Sequence, residues 1–301
     1  MDNGKTALIV GGSGLIGSAL SDVLTSMGIT VRILTTNIKR AESDKLSFYW
    51  NIPESYIDPK AFEGLDFAVN LAGASVAGGL WTKSRKNTLI QSRVEGTNLL
   101  FEEMRRSGIN IQTYFGASAV GYYGGERGNE LPDETSDPGN GFLADLCVEW
   151  EKSHEQFKVI SGTLVTGRIS NVLDSKGGFM TPFKRISALN IGLFFSGQKQ
   201  GVSWIHIDDL AQAIAHLVVS QSDGVYNLCA GNDDWFKVQK AIYKSFGVNR
   251  FRIIIPGFIL KLVMGQMASL LLNHSSASFE KLRQSESRPR HQELEEALDN
   301  L

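Results

Sequence analysis

Cysteine is scarce: Cys147 and Cys229 are the only two in 301 residues, too few for a disulfide framework or a cysteine-built metal site. Charge of one sign is also lacking. Thirty Lys and Arg stand against 32 Asp and Glu, a formal net charge of −2, so there is no basic footprint and nucleic acid is not an expected partner. The five histidines, at positions 154, 206, 216, 274 and 291, are scattered without ligand spacing, which argues against a metal site. No apolar run of about twenty residues is uninterrupted. The nearest approach, Ile253 to Leu272, is broken by Pro256, Lys261 and Gln266, so it reads as a buried or pocket-lining helix and not a membrane span. The apolar run from Ala7 is cut short by glycines and lacks a charged leader, so no secretory signal is expected. A reducing cytoplasm is the expected compartment.

The rest of the composition, 42% hydrophobic and 21% charged, is that of an ordinary globular protein, long enough for one large or two modest domains. Its organising stretch is Thr6-Ala-Leu-Ile-Val-Gly-Gly-Ser-Gly-Leu-Ile-Gly17. The apolar run Ala7 to Val10 reads as a buried parallel strand that breaks into glycines before a helical segment, Leu15 to Met27. Gly11 allows the tight turn, Gly14 the approach of phosphates, and Gly17 close packing of helix on sheet. The helix N-terminus then faces the anion, so Gly11, Gly12, Ser13, Gly14, Leu15, Ile16 and Gly17 are candidate cofactor contacts.

A second strand, Thr30 to Thr35, leads into Thr36, Asn37, Lys39 and Arg40. A carboxylate there would grip the ribose hydroxyls of NAD. None is present. Thr35, Thr36 and Asn37 offer hydrogen bonds to a phosphate and Lys39 and Arg40 offer charge, which favours NADP(H) over NAD(H). The strand Phe67 to Gly73 ends in small residues beside the expected crevice, adding Leu71, Ala72 and Gly73 with Asn70 behind them. Helical periodicity runs through Trp81 to Arg106, from which Lys86 and Arg93 could reach the crevice. The strand within Thr113 to Gly124 ends in Ser118, Tyr122 and Tyr123, hydroxyls at the edge where chemistry is expected. A Gly/Pro/acidic loop covers Glu126 to Asn140, a helix is expected over Phe142 to Phe157, and a strand over Gly162 to Arg168.

These residues resemble the extended short-chain dehydrogenase/reductases of the NAD-dependent epimerase/dehydratase superfamily. The narrower resemblance is to an atypical epimerase-like group that includes the YfcH-type proteins. It rests on Asn70-Leu-Ala-Gly-Ala74, Trp81 with Ser92-Arg93, Ala117-Ser-Ala-Val-Gly-Tyr-Tyr-Gly124, Gly141-Phe-Leu-Ala144 with Cys147 and Trp150-Glu151, Gly177-Gly178, and Ser203-Trp-Ile-His-Ile-Asp-Asp209. The resemblance implies an NADP(H)-type cofactor, a Rossmann-type doubly wound parallel sheet and a smaller C-terminal substrate-capping domain. It also implies that Arg168, Gly178, Phe179, Met180 and Pro182 line the cleft, with Arg168 a candidate cofactor contact. One departure stands out: the superfamily's catalytic tyrosine and lysine fall here on Phe142 and Leu146, neither of which has a proton to give. A missing general acid costs about 10²–10⁴ in rate, so Tyr122 or Tyr123, oriented by Ser118, becomes the candidate replacement. Asp145, next to the vacated lysine position, is expected to point elsewhere.

In the second half, Asp208 or Asp209 is the expected N-cap of the apolar helix Leu210 to Val219, and His206 reads as a structural histidine. The expected division is a dinucleotide-binding domain over 1–170, to which 203–229 returns, and a capping domain from 171–202 and 230–301. The expected activity is that of an NADP(H)-binding oxidoreductase or epimerase-like enzyme on a small carbonyl or hydroxyl substrate. The alternative is a non-catalytic NADP(H)-binding sensor. Neither a metal nor an oligomer is indicated.

Overall fold

A computed structural model describes residues 4–124, 131–196, 201–248, 251–272 and 275–301. Its first half runs β1 (Thr6–Val10), α1 (Leu15–Ser26), β2 (Thr30–Thr35), α2 (Ile38–Ser43), β3 (Ser47–Asn51), β4 (Tyr56–Ile57), β5 (Phe67–Asn70), α3 (Lys83–Ile90), α4 (Gly96–Arg106), β6 (Ile111–Ala119), α5 (Phe142–His154) and β7 (Ser161–Ile169). There follow β8 (Asn171–Leu173), α6 (Thr181–Ser187), β9 (Ile191–Ser196), β10 (Gly201–His206), α7 (Ile207–Val219), β11 (Gly224–Leu228), β12 (Gly231–Asp234), α8 (Trp235–Ser245), β13 (Phe251–Pro256) and α9 (Gly257–Met264).

The continuous apolar runs become strands covered on both faces, as parallel strands must be. Alternate residues of β1 serve opposite cores: Ala7 and Ile9 join Phe67, Val69 and Phe115, whereas Leu8 and Val10 join Ala68 and Tyr114. The main sheet has the order β11-β7-β6-β5-β1-β2-β3-β4, parallel except where β4 turns back on β3. Chain order reverses between β1 and β5, and a ligand crevice opens at the carboxyl ends of strands at such a switch point. The Rossmann-type α/β fold read from the sequence is borne out.

Two small sheets lie beyond it, β12-β10-β8 and β13-β9. Phe183, Phe194, Trp235 and Tyr243 fill the core that they share. At the start of the stretch 203–229, expected to return to the first domain, β10 joins the first of these small sheets and not the main one, because it finds its partners in β8 and β12. Only α7, packed on α1 through Leu210, Ile214, Leu20 and Leu24, and β11, paired to β7, return to the large sheet.

Three further local expectations are corrected. The helix over 81–106 begins at Lys83, capped by Thr82, and is interrupted by a π turn, Gln91–Glu95. The extra residue shifts the register, so that Leu89 is buried and Ile90 exposed. The N-cap of α7 is His206, whose Nδ1 accepts from the Asp208 amide at 3.1 Å. Asp209 is occupied instead: its carboxylate accepts from the amides of Arg290 and His291 at 3.0 and 2.9 Å and ties the C-terminal segment down. Finally, Phe258, Leu262 and Val263 of α9 face outward, 67–83% exposed, so this helix is not buried, whereas Gln266, Ser269 and Leu270 beyond it do line a pocket. No helix among the described residues is long and apolar enough to cross a membrane. The stretch 125–130 of the acidic loop, Arg250, Asn273 and His274 lie outside the described residues.

Candidate functional site

At the end of β1, Gly11 takes φ +83° and its carbonyl accepts from the Gly14 amide at 3.0 Å. A Cβ on Gly11 would meet the Leu71–Ala72 peptide at 3.1 Å, and one on Gly17 would meet the Gly11 carbonyl at 2.4 Å. Neither place tolerates a side chain, since the atoms in the way are backbone. Gly14 caps α1 with no side-chain hydrogen bond, leaving the first helical amides to a ligand. The turn therefore fits a pyrophosphate: it has bare backbone, aligned amides and the positive end of a twelve-residue helix. Ser13, Leu15 and Ile16 belong to this same turn, and Leu15 reaches across to the second half, where a Cβ on Gly178 would strike its side chain at 2.9 Å.

Beyond β2 the polar residues divide. Thr35 is buried and its hydroxyl accepts from the Asn37 amide at 3.1 Å, while Asn37 caps α2 through the Arg40 amide at 3.3 Å. These two side chains build the turn. Thr36 and Lys39 are exposed, and the Arg40 guanidinium is tethered by the Ser47 hydroxyl at 3.2 Å, so these three are the groups presented outward.

Across the switch point, Asn70 is a buried latch. Its amide donates to the Thr97 and Tyr114 hydroxyls at 2.9 and 3.2 Å, and its carbonyl oxygen accepts from the Ala72 amide at 3.2 Å. Tyr114 pairs in turn with Nδ1 of His154 at 3.0 Å, and Nε2 of that ring donates to the Ala117 carbonyl at 3.1 Å. The Leu71 to Gly73 turn is thus held in place from β6 and α5. Burial pulls the His154 pKa down to about 4, consistent with a neutral ring that donates once and accepts once.

The hydroxyls expected to do chemistry are committed elsewhere. Ser118 donates to Glu151 Oε1 at 2.6 Å. Arg168 clasps the same carboxylate with Nε and Nη2, both at 2.9 Å, and its Nη1 donates to the Tyr123 hydroxyl at 2.7 Å. That hydroxyl donates to Asn227 Oδ1 at 2.8 Å. Tyr123 is 3% exposed, and burial, partly offset by Arg168, pushes its pKa up to about 12. Tyr122 lies under the Arg168 guanidinium, 3.5 Å from its ring centroid. Ser118, Tyr123 and Arg168 thus form a buried network with Glu151, and neither they nor Tyr122 are among the residues that line the cleft. Glu151 drew no role from the sequence because its partners lie 17 and 33 residues away.

The crevice itself is a cleft of about 700 Å³ over the ends of β6 and β7, closed on the far side by Gln266, Ser269 and Leu270. Phe142 and Leu146, which the resemblance sets at the superfamily's tyrosine and lysine positions, line it. Trp81 meets Phe142 edge-on with ring centroids 5.2 Å apart, and the Lys86 ammonium sits 4.6 Å from the Phe142 centroid while bonding Gln266 Oε1. Asp145 also lines the cleft, contrary to expectation, because a residue three along a helix shares the face of Phe142. Cys147 does so too, but its thiol is buried and its pKa pushed up to about 11, chiefly by burial. Among the described residues no group of His, Cys, Asp and Glu is placed to hold a metal ion.

Residues 7–229 match the NAD dependent epimerase/dehydratase family. The chain belongs to this family. A further stretch, 255–301, matches a domain of unknown function, DUF1731, and the resemblance read from the motifs is borne out. Epimerase family proteins of Staphylococcus saprophyticus and Staphylococcus aureus strain MRSA252 are each 29% identical, over 299 and 303 residues, 99% of both chains in each case. In fold, the chain is similar to human epimerase family protein SDR39U1, solved with NADPH (TM-score 0.84, 24% identity, 98% of both chains). It is similar also to Thermus thermophilus UDP-glucose 4-epimerase, solved with NAD (TM-score 0.75, 20% identity, 98% of both chains). Within the family fold the glycine turn follows β1 and the cleft lies over the ends of β6 and β7, along the same carboxyl edge of the sheet.

Proposed function

We propose that the chain is an NADP(H)-dependent oxidoreductase or epimerase-like enzyme acting on a small carbonyl or hydroxyl compound in the cleft. The observation that carries this reading is the pairing of a backbone cradle too tight for any Cβ at Gly11 and Gly17 with a cleft of about 700 Å³ farther along the same carboxyl edge. Gly11 to Gly17 would hold the pyrophosphate, Leu71 to Gly73 would border the cofactor, and Thr36, Lys39 and Arg40 would favour a ribose phosphate. When bound, the nicotinamide supplies the hydride or accepts it. Proton transfer falls to a group that lines the cleft, where Asp145 and Lys86 stand beside Phe142. Ser118, Tyr122 and Tyr123 brace the fold beside the cleft through Glu151 and Arg168 and take no part in the reaction.

Phe142 and Leu146 in the cleft wall favour a second reading, an NADP(H)-binding sensor without turnover. Calorimetric titration with NADPH and NADH comes first: submillimolar binding, tighter for NADPH, is expected, and binding of neither defeats both readings. NADPH oxidation is then screened over aldehydes, ketones and oxo acids. Turnover that falls about 10²-fold in Asp145→Asn or Lys86→Met supports the enzyme; cofactor binding with no turnover across the set supports the sensor.

A further inference from the structure

Arg93 is a largely enclosed guanidinium with no carboxylate to balance it. Among the described residues none of the ion pairs includes it, and the charged side chain nearest to it in effect is another cation, Arg85. Burial lowers its pKa from the ordinary arginine value; the Cys147 thiol works against that, and Arg85 adds to it. A buried cation without an anion is costly to hold. The fold nevertheless fixes it firmly: Nη1 donates to the carbonyls of Ala74 and Leu89 at 3.1 and 3.3 Å, and the guanidinium stacks 4.9 Å from the Trp150 ring centroid.

Three features aim this charge at a ligand. Arg93 sits at the middle of the π turn Gln91–Glu95, the kind of local expansion that recurs at functional sites, and it lines the cleft. Lys86, one face of the same helical segment away, lines that cleft too. Trp150 completes the set: it is 6% exposed, it lines the cleft, and its indole N–H is buried without an acceptor. Asp145 is the one carboxylate among the described lining residues, so two cations face one anion there.

We propose that the substrate carries an anionic group of its own, a carboxylate or phosphate, which Arg93 and Lys86 bind in the cleft beside the reacting carbonyl or hydroxyl. This rests on the reading of the cleft as a substrate site next to NADP(H). The guanidinium fork gives directional hydrogen bonds to a planar or tetrahedral oxyanion, and the lysine adds a point charge. A neutral ester of the same compound would leave both cations unpaired in a confined space and bind poorly.

An anion at Arg93 has two sources, the substrate or a cofactor phosphate, since a Cβ on Gly73 would lie 2.9 Å from the guanidinium carbon. Calorimetry separates them. The NADPH-saturated protein is titrated with pyruvate against methyl pyruvate, and with glyceraldehyde 3-phosphate against glyceraldehyde. At least one charged member should bind tenfold or more tighter than its neutral partner. Arg93→Gln and Lys86→Met should each remove most of that preference, Arg93→Lys should restore part of it, and NADPH affinity should stay unchanged in all three. Melting temperatures confirm that the variants are folded, and the half-exposed Lys86 keeps the test alive if Arg93→Gln is not. The proposal is overturned if charged and neutral members bind alike, if neither binds to the loaded protein, or if Arg93→Gln weakens NADPH tenfold while leaving the anion preference intact. If NADPH itself does not bind, the functional reading falls separately, and the same comparison on the protein alone decides the anion site.

Discussion

Arg168 holds Glu151 in a two-point grip, Nε to Oε1 and Nη2 to Oε2, both 2.9 Å, with the arginine side chain 4% and the glutamate 14% exposed. The pair joins β7 to α5 directly behind the cleft wall. Burial works against the arginine's charge, but the Glu151 bonds more than offset it and raise the pKa. Removing one partner strands the other, so Arg168→Met should cost about 3 kcal/mol or more of stability. Urea unfolding at pH 7 measures this; a loss under about 1 kcal/mol would show that the pair is solvated.

Tyr123→Phe deletes the acceptor of Arg168 Nη1 and the donor to Asn227. A destabilisation of about 1–3 kcal/mol is expected, with NADPH affinity and any turnover unchanged once the protein is folded. A selective loss of kcat with full stability would return Tyr123 to the chemistry.

His154 makes stability depend on acid. Its folded pKa of about 4 lies below the ordinary 6.5, so the unfolded chain binds the extra proton first. The stabilisation it lends is complete above pH 6.5 and drains away as pH falls toward 4, by about 3 kcal/mol in all. Urea midpoints between pH 7 and 4 should fall in wild type and fall less in His154→Gln. Parallel curves would mean that other groups carry the acid sensitivity.

Gly17→Ala puts a methyl 2.4 Å from the Gly11 carbonyl, pushing α1 off the turn. NADPH affinity should drop tenfold or more, equivalent to about 1.4 kcal/mol. Gly108→Ala, at a position with open space around it but φ +67°, serves as the control: it strains a distant turn and should leave NADPH binding as it was.

Lys39 and Arg40 should govern the choice between cofactors. In the double variant Lys39→Ala with Arg40→Ala, the preference for NADPH over NADH should shrink about tenfold through loss of charge-assisted bonds to the ribose phosphate. Parallel calorimetric titrations with both cofactors test it, and an unchanged ratio assigns the discrimination to Thr36 or to other backbone.

Much of the fold could be read from local pattern because its main parts are local. Val10 giving way to Gly11, and Phe67 to Asn70 ending in small residues, announce strand, turn and crevice within a dozen positions. The groups that misled are those whose partners are remote. Tyr123 presents a hydroxyl at a strand end in the sequence, and only Arg168 and Asn227, 45 and 104 residues away, remove it from the cleft. His206 displaced Asp208 and Asp209 as helix cap because Asp209 was claimed by the amides of Arg290 and His291. The π turn left no mark either, since one extra residue changes the helical face by about a quarter turn without altering composition. Arg93 was thus legible as a charge within reach of the crevice, but not as one held there without a carboxylate partner among the described residues.

The position of β11 bears on synthesis. The strand closes the outer edge of the main sheet by pairing with β7, yet residues 171–223, including both β8 and β10, are made between the two. During translation β7 would wait on the order of seconds with one row of amides and carbonyls open before its neighbour leaves the ribosome. An unpaired edge of that kind invites another chain. The interval between Ile169 and Gly224 is accordingly one in which a nascent copy is exposed to pairing wrongly with its neighbour on the same messenger.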